Sequence, residues 1–136
     1  MGRILSIDYG KKRTGIAVTD PLKIIATGLC TVETPKLMGF LKEYFLKEQV
    51  EEVIIGMPTN LDDSATDATP LVRHFIKAFQ KHVLGIPIKE VDERYSSKTA
   101  SRAMIDMGLK KKQRQNKALV DEIAATIMLQ EYMEHR

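Results

Sequence analysis

The chain has 136 residues, of which 43% are hydrophobic and 29% charged, and a formal net charge of +3. That length suits one domain spanning 1–136, and the balance is that of a soluble globular protein. No apolar run approaches the roughly 20 residues that cross a bilayer, the N-terminus carries no basic-then-apolar leader, and Cys30 stands alone. A membrane-spanning helix, a disulfide framework and a cysteine metal cluster are thereby excluded, and a cytoplasmic location is expected.

Arg3-Ile4-Leu5-Ser6-Ile7 is a short apolar run that predicts a buried strand ending at Asp8. Tyr9 to Arg13 forms a turn rich in glycine and charge, and Thr14 to Thr19 predicts a second strand. A third is expected over Ile24 to Val32, because Pro21 bars an earlier start and Thr34-Pro35 closes it. Short turns between three strands imply an antiparallel meander.

Beyond Pro35, Leu37, Phe40, Leu41, Tyr44, Phe45 and Leu46 recur at helical spacing. Val53-Ile54-Ile55-Gly56 predicts a fourth strand, stopped by Met57-Pro58, with a polar loop from Thr59 to Ser64. Leu71, Val72, Phe75, Ile76 and Phe79 mark a second helix, and Ile86 to Val91 a fifth strand leading into Asp92-Glu93-Arg94. Ser96 or Ser97 caps a helix through Met107, and a last helix begins near Asn116. Strand–helix–strand alternation implies parallel pairing in this half. The expected fold is α/β: a mixed five-stranded sheet, antiparallel meander then parallel strands, flanked by helices.

Asp8 and Glu93 both follow apolar strands, at the ends where α/β sheets usually build their sites. Asp121 shares a helical face with Ala125, Met128 and Tyr132 on a helix apolar nearly all round, which predicts burial over most of its surface. An ionised Asp there calls for a partner, a helix N-terminus or a metal. Three such acids suit metal-assisted phosphodiester cleavage, since Mg²⁺ or Mn²⁺ takes hard oxygen ligands. The three histidines, His74, His82 and His135, have no metal-ligand spacing. No organic cofactor is called for. Lys11, Lys12 and Arg13 in the first turn, and Lys110, Lys111, Lys112, Arg114 and Lys117 between the last helices, are candidate phosphate contacts, although a lysine run is ordinarily a solvated loop. Arg94 either pairs with Glu93 or reaches a phosphate.

The stretches Ile7-Asp8-Tyr9-Gly10-Lys11-Lys12-Arg13-Thr14-Gly15-Ile16-Ala17, Ile54 to Asp62, Asp92-Glu93-Arg94-Tyr95-Ser96-Ser97 and Val120 to Gln130 resemble, in order, the motifs of the YqgF family of proposed Holliday junction resolvases or pre-16S rRNA nucleases. The resemblance covers essentially the whole chain and departs at Asp63, where the family often has Gly. It implies an RNase H-like fold, Asp8, Glu93 and Asp121 as the catalytic and metal-binding triad, and a nucleic-acid partner, either a structured RNA precursor or branched DNA. Maturation of the 5′ end of 16S rRNA precursor is the expected role, with four-way DNA as the alternative substrate. The chain is expected to act as a monomer or homodimer, since resolving a junction needs two active sites. A non-catalytic nucleic-acid-binding or regulatory protein is the rival of another class. An actin-like kinase is disfavoured because it needs two such domains.

Overall fold

The computed structural model describes residues 2–57, 69–92 and 117–134. The elements are β1 (Arg3–Asp8), β2 (Arg13–Thr19), β3 (Ala26–Glu33), a 3-10 turn (Thr34–Lys36), α1 (Leu37–Lys47), β4 (Val50–Met57), α2 (Thr69–His82), β5 (Ile88–Asp92) and a last described helix, here α3 (Lys117–Glu134). The loop expected over 59–64, the departure at Asp63 and the helix expected from Ser96 or Ser97 lie outside the described residues.

The five strands form one mixed sheet in the order β3-β2-β1-β4-β5. β1 pairs antiparallel with β2, and β2 with β3, whereas β1–β4 and β4–β5 are parallel. This is the expected meander followed by crossover-linked strands, and it puts β1 in the middle.

One face of the sheet carries Leu5, Ile7, Ile16, Val18, Val53 and Ile55 against Leu37 and Leu41 of α1 and Val72, Phe75, Ile76 and Phe79 of α2. The α2 set recurs at helical spacing, so one stripe is buried. The other face brings Ile4, Ala17, Ala26 and Ile54 against Ala125, Met128 and Leu129 of α3. No described helix is long and apolar enough to cross a membrane.

Strand starts differ from expectation at β3, β4 and β5: β5 begins at Ile88 rather than Ile86, and hydrogen bonds account for the other two. β3 starts at Ala26, leaving Ile24 and Ile25 exposed. The Asp20 carboxylate accepts hydrogen bonds from the backbone amides of Leu22 (3.2 Å), Ile24 (2.7 Å) and Ile25 (2.8 Å), which holds this stretch as a loop despite its apolar residues. β4 starts at Val50, earlier than its apolar run. Glu52 extends it because its carboxylate, only 7% exposed as a residue, accepts from the Tyr132 hydroxyl (3.0 Å) and sits 3.1 Å from the Lys89 ammonium. α3 is less enclosed than its composition suggests: Ala124, Ala125, Met128 and Leu129 are buried, but Ile123 and Ile127 only half so.

Candidate nuclease site

Side chains alternate across a strand, and β1 uses this to separate core from site. Leu5 and Ile7 enter the α1/α2 core, while Ile4, Ser6 and then Asp8 turn toward α3. Tyr9 turns back to the α2 side, its ring 5.4 Å from that of Phe75, and burial raises its hydroxyl pKa above the usual value. Asp8 is thus left half-buried at the carboxyl end of the central strand, on the α3 face.

α3 runs antiparallel to β1. Ile4 packs in the cluster with Met128 and Leu129, and the buried Ser6 hydroxyl donates to the Ala125 carbonyl at 3.0 Å. Asp8 lies two residues beyond Ser6, roughly 6.6 Å along the strand. Asp121 lies one turn before Ala125, roughly 5.4 Å along the helix in the same direction. Both acids are carried to the same end of the sheet on the same face.

Gly15 closes the arrangement. It is the β2 partner of Asp8, and a Cβ built on it would overlap the Asp121 carbonyl and lie 2.8 Å from the Glu122 amide nitrogen. The helix therefore sits directly on the strand backbone where Asp8 is paired. Gly15 is a mid-strand residue under a helix, inside the strand expected over Thr14 to Thr19. Gly10 does belong to the turn, where a Cβ would collide with the Arg13 carbonyl.

The turn between β1 and β2 is fastened from outside. The Thr34 amide donates to the Lys12 carbonyl (3.0 Å), the Thr34 hydroxyl donates to the Gly10 carbonyl (2.6 Å), and the Thr14 and Thr34 hydroxyls are 2.9 Å apart. Lys11 and Lys12 are exposed on this turn. Arg13, the first residue of β2, sets its Nε 3.8 Å from Oδ2 of Asp121. That nitrogen is buried and makes no hydrogen bond.

Of the expected triad, the structure brings Asp8 and Asp121 to one end of one face; Glu93 lies outside the described residues, next in sequence after the end of β5. So do Arg94, Lys110, Lys111, Lys112 and Arg114, whereas Lys117 opens α3. The first turn of α3 contains no acidic residue, so Asp121 is not placed to complement the helix dipole there. Among the described residues no group of three or more His, Cys, Asp or Glu could hold a metal ion. The two acids nonetheless offer the hard oxygen donors that Mg²⁺ or Mn²⁺ prefers. His74 and His82 are on α2, which packs against the opposite face. Ser6, Gly15 and Thr34 were not legible as parts of a site; only the neighbourhood of Ser6 and Gly15 to the acid-bearing strand end singled them out.

A five-stranded mixed sheet in the order β3-β2-β1-β4-β5 with a helix across its central strand is an RNase H-like fold, and solved structures share it. The fowlpox virus resolvase in complex with Holliday junction DNA superposes with a TM-score of 0.61 at 14% identity, covering 98% of this chain and 97% of that one. Thermus thermophilus RuvC with a Holliday junction substrate gives 0.55 at 18% identity, covering 100% and 96%. Residues 2–135 match the family described as RuvX: Holliday junction resolvase, and the chain belongs to that family. A protein of Christiangramia forsetii named as a proposed pre-16S rRNA nuclease is 53% identical over 98% of each chain. One of the same name from Bacteroides thetaiotaomicron is 50% identical over 100% of this chain and 99% of its own.

Proposed function

We propose that this chain, acting as one domain over 1–136, is a divalent-metal-dependent endonuclease that hydrolyses a phosphodiester in 16S rRNA precursor. The observation that carries the reading is the meeting at Gly15: the strand residue paired with Asp8 lies beneath the backbone of Asp121. Two carboxylate-bearing residues on rigid elements are thereby fixed around one point at the carboxyl end of the sheet. Asp8 and Asp121, with Glu93 from the segment after β5, would hold Mg²⁺ or Mn²⁺. A bound ion of this kind supplies charge to stabilise the leaving oxygen and lowers the pKa of water. Arg13 beside Asp121, with Lys11 and Lys12 exposed on the same turn, presents cationic groups to the substrate backbone, and Lys110, Lys111, Lys112, Arg114, Lys117 and Arg94 add to that charge.

The relatives' names favour an RNA precursor. Four-way DNA is the second substrate reading, favoured by the family description and by the junction complexes of the two structural neighbours. The test is cleavage of labelled rRNA precursor and labelled four-way DNA side by side in Mg²⁺ and in EDTA, with wild type and Asp8→Asn. Precursor cleavage that needs both Mg²⁺ and Asp8 is expected. Cleavage of neither substrate, or cleavage indifferent to Asp8, would overturn the proposal.

A further inference from the structure

We propose that Arg13 is a built-in competitor of the divalent cation for Asp121: it occupies the carboxylate in the metal-free protein and is released toward the nucleic acid when the cation binds. This rests on the nuclease reading above. Arg13 Nε stands 3.8 Å from Asp121 Oδ2, beyond hydrogen-bond reach, and this buried nitrogen has no hydrogen-bond partner at all. The contact is a Coulombic hold without the bidentate lock that Arg usually makes with a carboxylate.

The backbone of Arg13 has little freedom to follow its side chain. It is paired with Glu33 across β2–β3, and Thr34 pins the preceding turn at Gly10 and Lys12. The side chain is 39% exposed although its Nε is buried, so other atoms of it reach water. Rotation of the guanidinium is therefore the available motion. A divalent ion against the same carboxylate repels a guanidinium a few ångströms away, so the two exclude each other. Once displaced, Arg13 joins Lys11 and Lys12 on the same turn, adding one cation to the edge that meets phosphate. The exchange couples the two bindings: a cation at Asp121 strengthens the grip on the nucleic-acid backbone.

The experiment is calorimetric titration of the whole protein with Mn²⁺ alone, for wild type, Arg13→Gln, Lys12→Gln and Asp121→Asn. Removing this partly exposed competitor should tighten Mn²⁺ binding by about two- to fivefold in Arg13→Gln. Loss of the exposed Lys12 charge, screened by water and salt, should tighten it by less than about twofold. Asp121→Asn should bind weakly or not at all. Arg13→Met keeps the packing of the stem and serves if the Gln variant does not fold. Equal Mn²⁺ affinity in wild type and Arg13→Gln, or equal gains at Arg13 and Lys12, overturns the competition while leaving the metal site intact. Absence of Mn²⁺ binding in both wild type and Arg13→Gln overturns the competition together with the nuclease reading beneath it.

Discussion

Gly15 and Asp121 meet backbone to backbone, with no room between them for a Cβ. Because Gly15 is also the β2 partner of Asp8, this contact sets how the helix bearing one acid sits over the strand bearing the other. Gly15→Ala must push α3 outward or bend β2, since the obstructing atoms are main chain and cannot rotate away. The expected cost is about 1–3 kcal/mol of stability, as for overpacking elsewhere. Metal-dependent cleavage should fall further than this loss alone explains. Urea denaturation and a cleavage rate measured below the unfolding transition test both parts.

Gly28 offers the contrast. A Cβ there would lie 2.5 Å from Oε1 and 2.8 Å from Cγ of Glu122, the far part of a flexible side chain. Glu122 can swing aside, so Gly28→Ala should cost less than about 1 kcal/mol, part of it recovered because Ala restricts the unfolded chain. The Cys30 thiol, whose pKa is raised by burial and then by Glu122, should also titrate lower in this variant. Thiol reactivity against pH reads the shift, and an unmoved profile would mean that Glu122 stays where it is.

The anchor between β1 and α3 can be weakened without touching an acid. Ser6→Ala removes the buried hydroxyl that donates to the Ala125 carbonyl at 3.0 Å. A net loss of roughly 0.5–1.5 kcal/mol is expected for one such bond. Cleavage should be reduced but retained, because Asp8 and Asp121 both remain. A rate as low as that of Asp8→Asn would assign Ser6 a direct part in the chemistry.

The loop after β2 has a pH signature. Backbone amides lower the Asp20 pKa below 3.8, with Ile25 as the largest contributor. A group whose folded pKa is depressed adds stability above its unfolded pKa and loses it as pH falls through the folded value. Wild type should therefore exceed Asp20→Ala in stability at neutral pH, and the difference should shrink below about pH 3.8. Denaturation midpoints of both proteins between pH 6 and 2.5 check the sign. A gap that widens in acid would refute it.

The elements most legible in the sequence are those whose pattern is local. β1 and α2 announce themselves by apolar runs and helical spacing, and strand–turn–strand followed by alternation with helices is enough to imply a mixed sheet, but the order that seats β4 beside β1 was not legible. What escaped depends on partners far along the chain. Glu52 reads as a surface residue until Tyr132 and Lys89 are beside it, so the start of β4 is hidden. Ile24 and Ile25 read as strand because nothing local reveals that the Asp20 carboxylate has captured their amides. Gly15 and Thr34 look like punctuation, yet one is a helix seat and the other a clasp on the cationic turn. Asp8 and Asp121 stood out by type and position, but their common face follows only from the Ser6 and Gly15 contacts.

Asp121→Asn separates chemistry from stability. Asn is nearly isosteric and leaves the seat on Gly15 intact, because that contact is made by the Asp121 backbone. The carboxylate's loss removes the attraction to Arg13 at 3.8 Å between side chains 39% and 31% exposed. Partly exposed pairs of this kind contribute about 0.2–1 kcal/mol at most. Removal of one negative charge from the sheet end that also carries Asp8 relieves like-charge repulsion and acts in the opposite direction. The two terms are of similar size, so stability in EDTA should change by less than about 1 kcal/mol. Cleavage in Mg²⁺ should nevertheless be abolished, and the stabilisation that Mn²⁺ gives the wild type by binding only the folded state should vanish with it. A helix-complementing aspartate would behave otherwise, losing roughly 0.3–1 kcal/mol on neutralisation while activity survived. Melting temperatures with and without Mn²⁺, beside the cleavage rate, distinguish the two: an active Asp121→Asn whose melting point still rises with Mn²⁺ would remove Asp121 from the metal site.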